Sequence, residues 1–357
     1  MSVFSELDGH EQVIHFSDER SGLRAIIAIH NTVCGPALGG TRMYPYADER
    51  EALADVLRLS RGMTYKSAVA KLDLGGGKAV IIGDPAVDKT PQLLAAYARC
   101  VQSLDGRYLT ACDVGTTVED MDVLAKGCDF VVGRSTEQGG SGDSSVLTAL
   151  GVFQGMRACA GHRWGVASLR ARRVGVAGVG KVGRRLIEHL RADGAYVIAA
   201  DPDPAAHAWL AHSYPEVELA ADTAALAAAE LDVFAPCALG GALDDDLLAV
   251  LTARIVCGAA NNQLAYPGID KQLRDRGVLY APDFVVNAGG VIQAGDEAMA
   301  LMRGDHFHFP RAGLRAAEIF DTTVTILRAA DDADITPAQA ADRLAEERID
   351  HRRAVYC

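Results

Sequence analysis

The sequence predicts an α/β protein of two domains, on three observations. Its 357 residues exceed the usual size of a single domain. Short strands and helices alternate from Arg173 to about Tyr280, which is typical of βαβ units on a parallel sheet. A polar, glycine-rich stretch at residues 133–145 precedes this region and is the best candidate for an interdomain linker.

Local signals predict the elements before this stretch. Runs rich in β-branched and other apolar residues predict strands. Asp48 and Thr117 are suited to cap helices, and Pro91 suits the first position of one. The predicted strands are residues 23–32, 78–83, 107–110 and 130–132, and helices are predicted after Asp48, Thr90 and Thr117.

Helices dominate the prediction at the two ends of the alternating region. One helix is expected from residue 144 to about residue 160. The C-terminal third is predicted to hold three more, at residues 289–301, 311–329 and 336–348.

Composition and charge exclude several classes of protein. The net charge of −12 argues against a nucleic-acid partner, because phosphate binding needs a basic surface. No apolar run reaches the about 18 residues of a membrane span. Eight scattered cysteines would permit disulfides, but a large chain without a secretory signal favours reduced thiols. We therefore expect a cytoplasmic protein with no membrane partner.

The strongest single motif is a strand, a GxGxxG turn and a helix, beginning at Arg173. This arrangement binds dinucleotides, with the pyrophosphate on the helix N-terminus. A second strand ends in Asp201, which would accept hydrogen bonds from the ribose hydroxyls and repel a 2′-phosphate, so NAD is favoured over NADP; alternatively, Asp201 merely caps a turn before Pro202. The predicted turn residues are Gly178, Val179, Gly180, Lys181, Val182 and Gly183.

These observations define the predicted domains. Residues 1–140 would form an N-terminal α/β domain, joined by the C-terminal helices at 325–357. Residues 141–324 would form a Rossmann-type, doubly wound parallel-sheet domain for NAD, with a cleft between the two domains.

A second cluster lies in the N-terminal domain. It consists of Lys66, the glycine triplet at residues 75–77, Lys78 and the later acid Asp113. Two lysines and an acid suit a site that grips a carboxylate and moves protons, and glycines let backbone approach a ligand. The alternatives are solvated lysines and a turn acid.

Together, several blocks make the chain resemble the glutamate/leucine/phenylalanine/valine dehydrogenase family, and most strongly its valine dehydrogenases. The resemblance covers nearly the whole chain. The blocks are residues 35–42, 59–66, 75–78, 110–116, 235–241, 258–262 and 281–290.

The resemblance implies reversible, NAD-dependent oxidative deamination of an L-amino acid to a 2-oxo acid and ammonia. Lys66 would pair with the substrate carboxylate, and Lys78 would activate a water, for which it must be partly neutral. Asp113 would shuttle the proton to and from the amine. Family members range from dimers to octamers, so we expect a homo-oligomer formed through the N-terminal domain and the C-terminal tail.

At several further positions, only the resemblance implies a functional role. Gly39 and Gly40 would let backbone approach the substrate, and Asn287 would help to hold it. Thr148, Ala238 and Asn262 would lie near the cofactor. Ordinary turns, a helix-facing hydroxyl and a loop cap are the structural alternatives.

Four apolar positions bear on the substrate. Leu38 stands where glutamate-specific members carry a lysine, so glutamate is disfavoured. Apolar residues also occupy the other pocket positions, although each of them, taken alone, is more often a core residue than a pocket residue. We expect a branched-chain substrate, valine above all, with leucine or phenylalanine as alternatives. The four positions are Leu38, Ala111, Val291 and Ala294.

Other classes of site and protein fit less well. His306 and His308 lack further ligands at metal spacing, so no metal site is predicted. A 2-hydroxy acid dehydrogenase would use a histidine and an arginine in place of the paired lysines. A non-catalytic NAD-binding regulator remains the alternative from another class, and it would be expected to lose Lys66, Lys78 or Asp113.

Overall fold

The computed structural model describes residue 7 and residues 9–356, which fall into two compact units. The first unit comprises the described residues up to Ser144, Val291–Ala312, and those from Ala345 onward. The second comprises Ser145–Gly290 and Gly313–Leu344. Each unit has its own sheet and its own apolar core.

A mixed five-stranded sheet forms the first unit, in the order β1-β2-β4-β3-β5. Strand β2 is antiparallel to both of its neighbours, and β3, β4 and β5 run parallel. The strands are β1 (Gln12–Asp18), β2 (Leu23–Asn31), β3 (Ala37–Tyr44), β4 (Gly75–Ile82) and β5 (Tyr108–Cys112). The helices between them are α1 (Glu49–Val69), α2 (Pro91–Gln102) and α3 (Val118–Leu124).

Helix α1 covers one face of this sheet, and α2 covers the other. Val56 of α1 packs with Ala28 and Val80 in one apolar cluster. On the opposite face, the Thr41 hydroxyl lies 2.6 Å from the hydroxyl of Tyr97 in α2. Because side chains alternate along a strand, each position of β3, β4 and β5 can be assigned to one face or the other.

The glycine triplet lies inside the buried strand β4, where it permits close contact within the protein. A Cβ at Gly76 would lie 2.0 Å from the backbone nitrogen of Thr64 in α1. A Cβ at Gly39 would lie 1.7 Å from the carbonyl oxygen of Gly77. Backbone therefore meets backbone at these points, which fixes α1 and β3 against β4.

The second unit contains a parallel sheet in the order β11-β10-β9-β6-β7-β8. This is the strand order of a Rossmann fold, with the change of direction between β6 and β9. The fold class predicted from the sequence is confirmed. Its strands are β6 (Arg173–Ala177), β7 (Tyr196–Ala200), β8 (Glu218–Leu219), β9 (Val233–Pro236), β10 (Ile255–Val256) and β11 (Leu279–Tyr280).

The remaining helices flank this sheet or form the C-terminal third. No helix in the described residues has the length and hydropathy needed to cross a membrane. They are α4 (Ser145–Trp164), α5 (Lys181–Asp193), α6 (Pro204–Ser213), α7 (Thr223–Ala228), α8 (Asp245–Val250), α9 (Ile269–Asp275), α10 (Asp283–Val286), α11 (Gly289–Arg303), α12 (Phe309–Ala317), α13 (Ile319–Ala333) and α14 (Pro337–Tyr356).

Two predicted elements differ from the structure. The strand predicted at residues 130–132 is wrong, because only a single bridge joins Val131 to Thr110 before the chain turns at Gly133 with φ +72°. The helix predicted at residues 311–329 is two helices, α12 and α13, separated at Glu318. Strands β1 and β3 were not predicted.

The units also divide the C-terminal third differently from the predicted domains. Most of α11 belongs to the first unit, where Glu297 accepts hydrogen bonds from the backbone nitrogens of Gly133 and Ser141. Helix α13 belongs to the second unit and packs against α4. Only the part of α14 from Ala345 onward belongs to the first unit.

We expect Gly76→Ala to destabilise the protein and Gly62→Ala to stabilise it slightly. The first change forces a methyl group against the backbone of α1, which costs at least about 1–3 kcal/mol. Gly62, in the same helix, has open space at its Cβ position, so alanine there gains about 0.5–1 kcal/mol of helix propensity. Thermal unfolding of both variants measures the effect, and a Tm for Gly76→Ala equal to that of the unaltered protein would contradict the contact.

Candidate active site and nucleotide site

Lys78 and Asp113, the two predicted catalytic residues, form an ion pair in the first unit. Lys78 Nζ lies 3.0 Å from Asp113 Oδ2, and the lysine side chain is only 7% exposed. Lys78 belongs to β4, and Asp113 follows the last residue of β5. A buried ammonium and a partly exposed carboxylate are thus in position to exchange protons with a bound molecule.

The surroundings of Asp113 fix its position and its charge. Its backbone nitrogen donates to Thr116 Oγ1 at 2.9 Å, which fixes the start of the turn after β5. Arg42 Nε donates to Asp113 Oδ2 at 3.0 Å. Burial raises the pKa of Asp113, but the charges of Lys78 and Arg42 outweigh burial, and the pKa is lowered below the ordinary carboxyl value.

Several predicted substrate residues share the face of the sheet that α1 covers. Gly76 meets α1 directly, and Leu38 is its register partner in β3. Alternation therefore places Gly40 and Lys78 on the same face, together with Ala111, which pairs with Gly40. Leu38 is buried, whereas Ala111 is only partly buried.

Gly39 and Lys66 are placed differently from those residues. By alternation Gly39 belongs to the opposite face, so only its backbone could contact a substrate on the α1 face. Lys66 lies half-buried in the last turn of α1, two residues after Thr64.

Helix α11 brings Val291 and Ala294 into the first unit. Ala294 lies one turn before Glu297 and shares its side of the helix. Glu297 holds the backbone nitrogen of Gly133 at 2.8 Å, and a Cβ at Gly133 would lie 3.8 Å from the Cβ of Ala111. Glu297 therefore attaches α11 to the segment at Gly133, and this segment lies beside Ala111.

Sequence reasoning missed a group of charged residues around Asp113. Arg42 Nη1 donates to Asp55 Oδ2 at 2.8 Å, and the Tyr46 hydroxyl donates to the same oxygen at 2.7 Å. Arg58 Nη2 donates to Asp55 Oδ1 at 2.7 Å. Asp55 could have been noticed as an acid next to the apolar Val56 in a helix that packs on a sheet.

In the second unit, the glycine turn lies where the strand order reverses. Gly178 follows β6 with φ +108°, and a Cβ there would lie 2.8 Å from the backbone nitrogen of Ala238, which follows β9. A Cβ at Gly183 would lie 2.0 Å from the carbonyl oxygen of Gly178. The loops after β6 and β9 therefore meet at the topological switch point, where sheets of this type bind nucleotides.

The N-terminus of α5 fits a pyrophosphate. Its N-cap is Gly180, and no side chain caps the first turn, whereas Asp or Thr side chains cap α1, α2 and α6. A Cβ at Gly180 would have open space around it. Lys181 is exposed and Val182 partly buried in the first turn, so the free end of the helix dipole is available to an anion.

Asp201 connects the turn to the strand beside it. Its Oδ2 accepts from the backbone nitrogen of Val179 at 2.6 Å, and its Oδ1 accepts from that of Asp203 at 2.8 Å. The second bond is a local turn contact of the kind expected if Asp201 caps the turn before Pro202. The first shows that Asp201 also fixes the glycine turn.

Three other predicted residues lie in the second unit. Asn262 is exposed in the segment after β10, with an unusual φ of +52°, and its carbonyl accepts from Gly241 N at 2.7 Å. Thr148 is partly buried in the first turn of α4. The Asn287 amide donates to Ala259 O at 3.1 Å, so Asn287 supports the loop before Asn262.

The described part of the chain contains no candidate metal site and no disulfide. No group of three His, Cys, Asp or Glu side chains there could hold a metal ion. The seven cysteines in this part are free thiols, and Cys357 lies outside the described residues.

Comparison with known proteins decides the family. Residues 10–129 match the "Glu/Leu/Phe/Val dehydrogenase, dimerisation domain", and residues 205–354 match "Glutamate/Leucine/Phenylalanine/Valine dehydrogenase". The chain belongs to this dehydrogenase family. It is therefore an amino acid dehydrogenase, and the family implies a nicotinamide cofactor.

Individual members of the family cover nearly the whole chain. The valine dehydrogenase of Streptomyces virginiae is 61% identical over 98% of this chain and 96% of its own length. The phenylalanine dehydrogenase of Caldalkalibacillus thermarum is 47% identical, over 98% and 94%. The crystal structure of L-tryptophan dehydrogenase from Nostoc punctiforme matches with a TM-score of 0.84 at 37% identity, covering 99% of this chain and all of that one.

We expect Asp113→Asn to lower the Tm most at neutral pH. Because the pKa of Asp113 is lower in the folded chain, the ionised carboxylate stabilises the fold above the ordinary carboxyl range. That contribution is lost as the pH falls through the lowered folded pKa. Thermal unfolding of the variant and of the unaltered protein should show that the difference in their Tm becomes smaller from pH 7 to pH 3. A difference that stays constant over this range would contradict the lowered pKa of Asp113.

Proposed function

We propose that the protein catalyses NAD-dependent, reversible oxidative deamination of a branched-chain L-amino acid, with valine favoured, to the 2-oxo acid, ammonia and NADH. The observation that carries this proposal is the buried Lys78–Asp113 ion pair, because deamination needs a base for water and a carrier for the amine proton.

The residues of the first unit would divide the chemistry. Lys66 would pair with the substrate carboxylate and orient Cα. Asp113 would take a proton from the α-ammonium before hydride leaves Cα. Lys78, in its neutral form, would take a proton from the water that attacks the resulting iminium. As the C–N bond breaks, Asp113 would return its proton to the departing amine, and the hydroxyl proton of the intermediate would be released to solvent as the carbonyl forms.

The second unit would bind the cofactor, which when bound supplies the hydride acceptor. The uncapped N-terminus of α5 would hold the pyrophosphate, and Asp201 would accept from a ribose hydroxyl with its remaining lone pairs. The residues after Asp201 are Pro202 and Asp203, so no positive charge is present there for a 2′-phosphate. This supports NAD over NADP.

The side-chain preference is supported by apolar residues and by the relatives. Leu38, Ala111, Val291 and Ala294 carry no charge that could hold a second carboxylate. Their identity alone does not rank aliphatic against aromatic side chains, since a methylene contributes only about 1–3 kcal/mol of discrimination. The valine dehydrogenase that is 61% identical favours valine, and the phenylalanine dehydrogenase that is 47% identical makes phenylalanine the alternative to test.

Two broader assignments accompany the activity. The first unit would be the substrate-binding and oligomerisation domain, and the second the NAD-binding domain. A cytoplasmic location also stays a prediction.

The test is NADH formation by the purified protein with valine, leucine, isoleucine, phenylalanine and glutamate, each with NAD and NADP. We expect the highest kcat/KM with valine or its branched relatives and NAD. A preference for phenylalanine would transfer the assignment to that substrate. Activity with none of them would favour a non-catalytic NAD-binding protein.

Lys78→Met is the matched variant for this test. It keeps the length of the side chain but removes the amine, so we expect kcat to fall roughly 10²- to 10⁴-fold. Binding of NADH, followed by its fluorescence, should stay unchanged because Lys78 lies outside the nucleotide-binding unit. Near-normal deamination by this variant would contradict the mechanism.

We further infer that the protein is a homo-oligomer. The family description of residues 10–129 as a dimerisation domain supports this. Sedimentation equilibrium at micromolar concentration should give a mass that is a multiple of one chain. A single-chain mass throughout would contradict the inference.

A further inference from the structure

One oxygen of Asp113 is shared by two cations. Lys78 Nζ and Arg42 Nε each lie 3.0 Å from Oδ2. No hydrogen bond from the described residues reaches Oδ1, and the side chain is partly exposed. The structure therefore leaves Oδ1 as the oxygen that can exchange a proton with a bound molecule.

Arg42 is itself held in place from the opposite side. Its Nη1 donates to Asp55 Oδ2, which also accepts from the Tyr46 hydroxyl. The side chains of Arg42 and Asp55 are 22% and 14% exposed, so these charges interact with little screening by solvent. The planar guanidinium thus spans two carboxylates with a fixed angle between its donors, which a lysine ammonium could not reproduce.

We propose that Arg42 is a positioning residue for the proton transfers of Asp113, and that Asp55 fixes Arg42 for this role. The proposal rests on the deamination proposed above. Arg42 acts on the substrate only through Asp113: it holds Oδ2, so that Oδ1 points to the amine in both the ionised and the protonated states. The proton moves between Oδ1 and the amine nitrogen, and Arg42 itself neither gains nor loses one.

The charges around Asp113 predict how the pH profile responds. Lys78 from β4 and Arg42 from β3 face the carboxylate directly. Asp55 and Arg58 from α1 act through Arg42. Because the charges of Lys78 and Arg42 lower the pKa of Asp113, removal of Arg42 should move the acidic limb of the activity profile to higher pH.

The experiment compares four variants with the unaltered protein, with kcat and KM for valine measured across pH. Arg42→Met should lower kcat roughly 10- to 100-fold, because misplacement of a reacting group by about 1 Å costs that much. Its acidic limb should move to higher pH, and millimolar guanidinium in the buffer should restore part of kcat. Arg42→Lys keeps the charge, so it should keep the acidic limb but not the full kcat.

Asp55→Asn tests the effect of the position of Arg42 separately from the effect of its charge. It releases Arg42 but leaves the positive charge near Asp113, so kcat should fall while the acidic limb stays at or below its normal pH. This variant also guards against the chance that Arg42→Met fails to fold, since asparagine retains the shape of aspartate.

Arg99→Met is the control for loss of one charge from the same unit. Arg99 is 68% exposed in α2, where its side chain donates to Ala95 O at 3.2 Å and forms a 3.9 Å ion pair with Asp18, so kcat and the pH profile should stay unchanged. Arg42 variants that match Arg99→Met in kcat, pH profile and lack of guanidinium rescue would overturn the proposal. A low Tm with an unchanged pH profile and no rescue would equally assign Arg42 a structural role. Inactivity of the unaltered protein on all amino acids would instead overturn the proposed function.

Discussion

The direct contact between helix α1 and strand β4 is the constraint on which the first unit depends. At Gly76 the two backbones meet without an intervening side chain. That approach brings Asp55 of α1 within hydrogen-bond distance of Arg42 in the neighbouring strand, and Arg42 in turn reaches Asp113. A wider spacing between α1 and β4 would separate these charges. The glycines thus determine which charged side chains come into contact, as well as how closely the backbones pack.

The second unit depends on a comparable close approach, between two loops. Gly178 allows the turn after β6 to reach the segment after β9, and the Asp201 carboxylate fixes the same turn through Val179 N. The helix that follows begins without a side-chain cap. Backbone donors that other helices of this chain satisfy internally therefore stay available for a ligand, at the position where the strand order leaves a crevice.

The sequence predicted those features that depend on local pattern. The strand, glycine turn and helix around Gly178 carry their own signal, as do the caps of α1, α2 and α3 at Asp48, Thr90 and Thr117. Strand β3 was missed because Gly39 and Gly40 disfavour strand structure in isolation, and only the pairing with β4 and β5 makes them extended.

The site was predictable in its residue types but not in its connections. Family resemblance indicated Lys78 and Asp113, and the structure brings them together. Arg42 and Asp55 are thirteen residues apart in different elements, and their contact depends on how α1 lies on the sheet. Asn287 lies four residues before Val291, yet the two residues fall in different units, because the division between the units follows Gly290.

Helix α11 separates the residues that hold it from those that can vary. Gln293 donates to Ser141 O, and Glu297 accepts from backbone nitrogens. These bonds are made to backbone atoms, which are present whatever the side chains of their partners are. Ala294 lies between these anchors and Val291 lies two residues before the first of them, and both side chains are apolar and make no hydrogen bond that a substitution would break. Substitutions at the two apolar positions therefore leave the hydrogen bonds that attach the helix unchanged. If these positions line the side-chain pocket proposed above, single substitutions there would change substrate preference without detaching the helix, which makes α11 a starting point for directed evolution of substrate range.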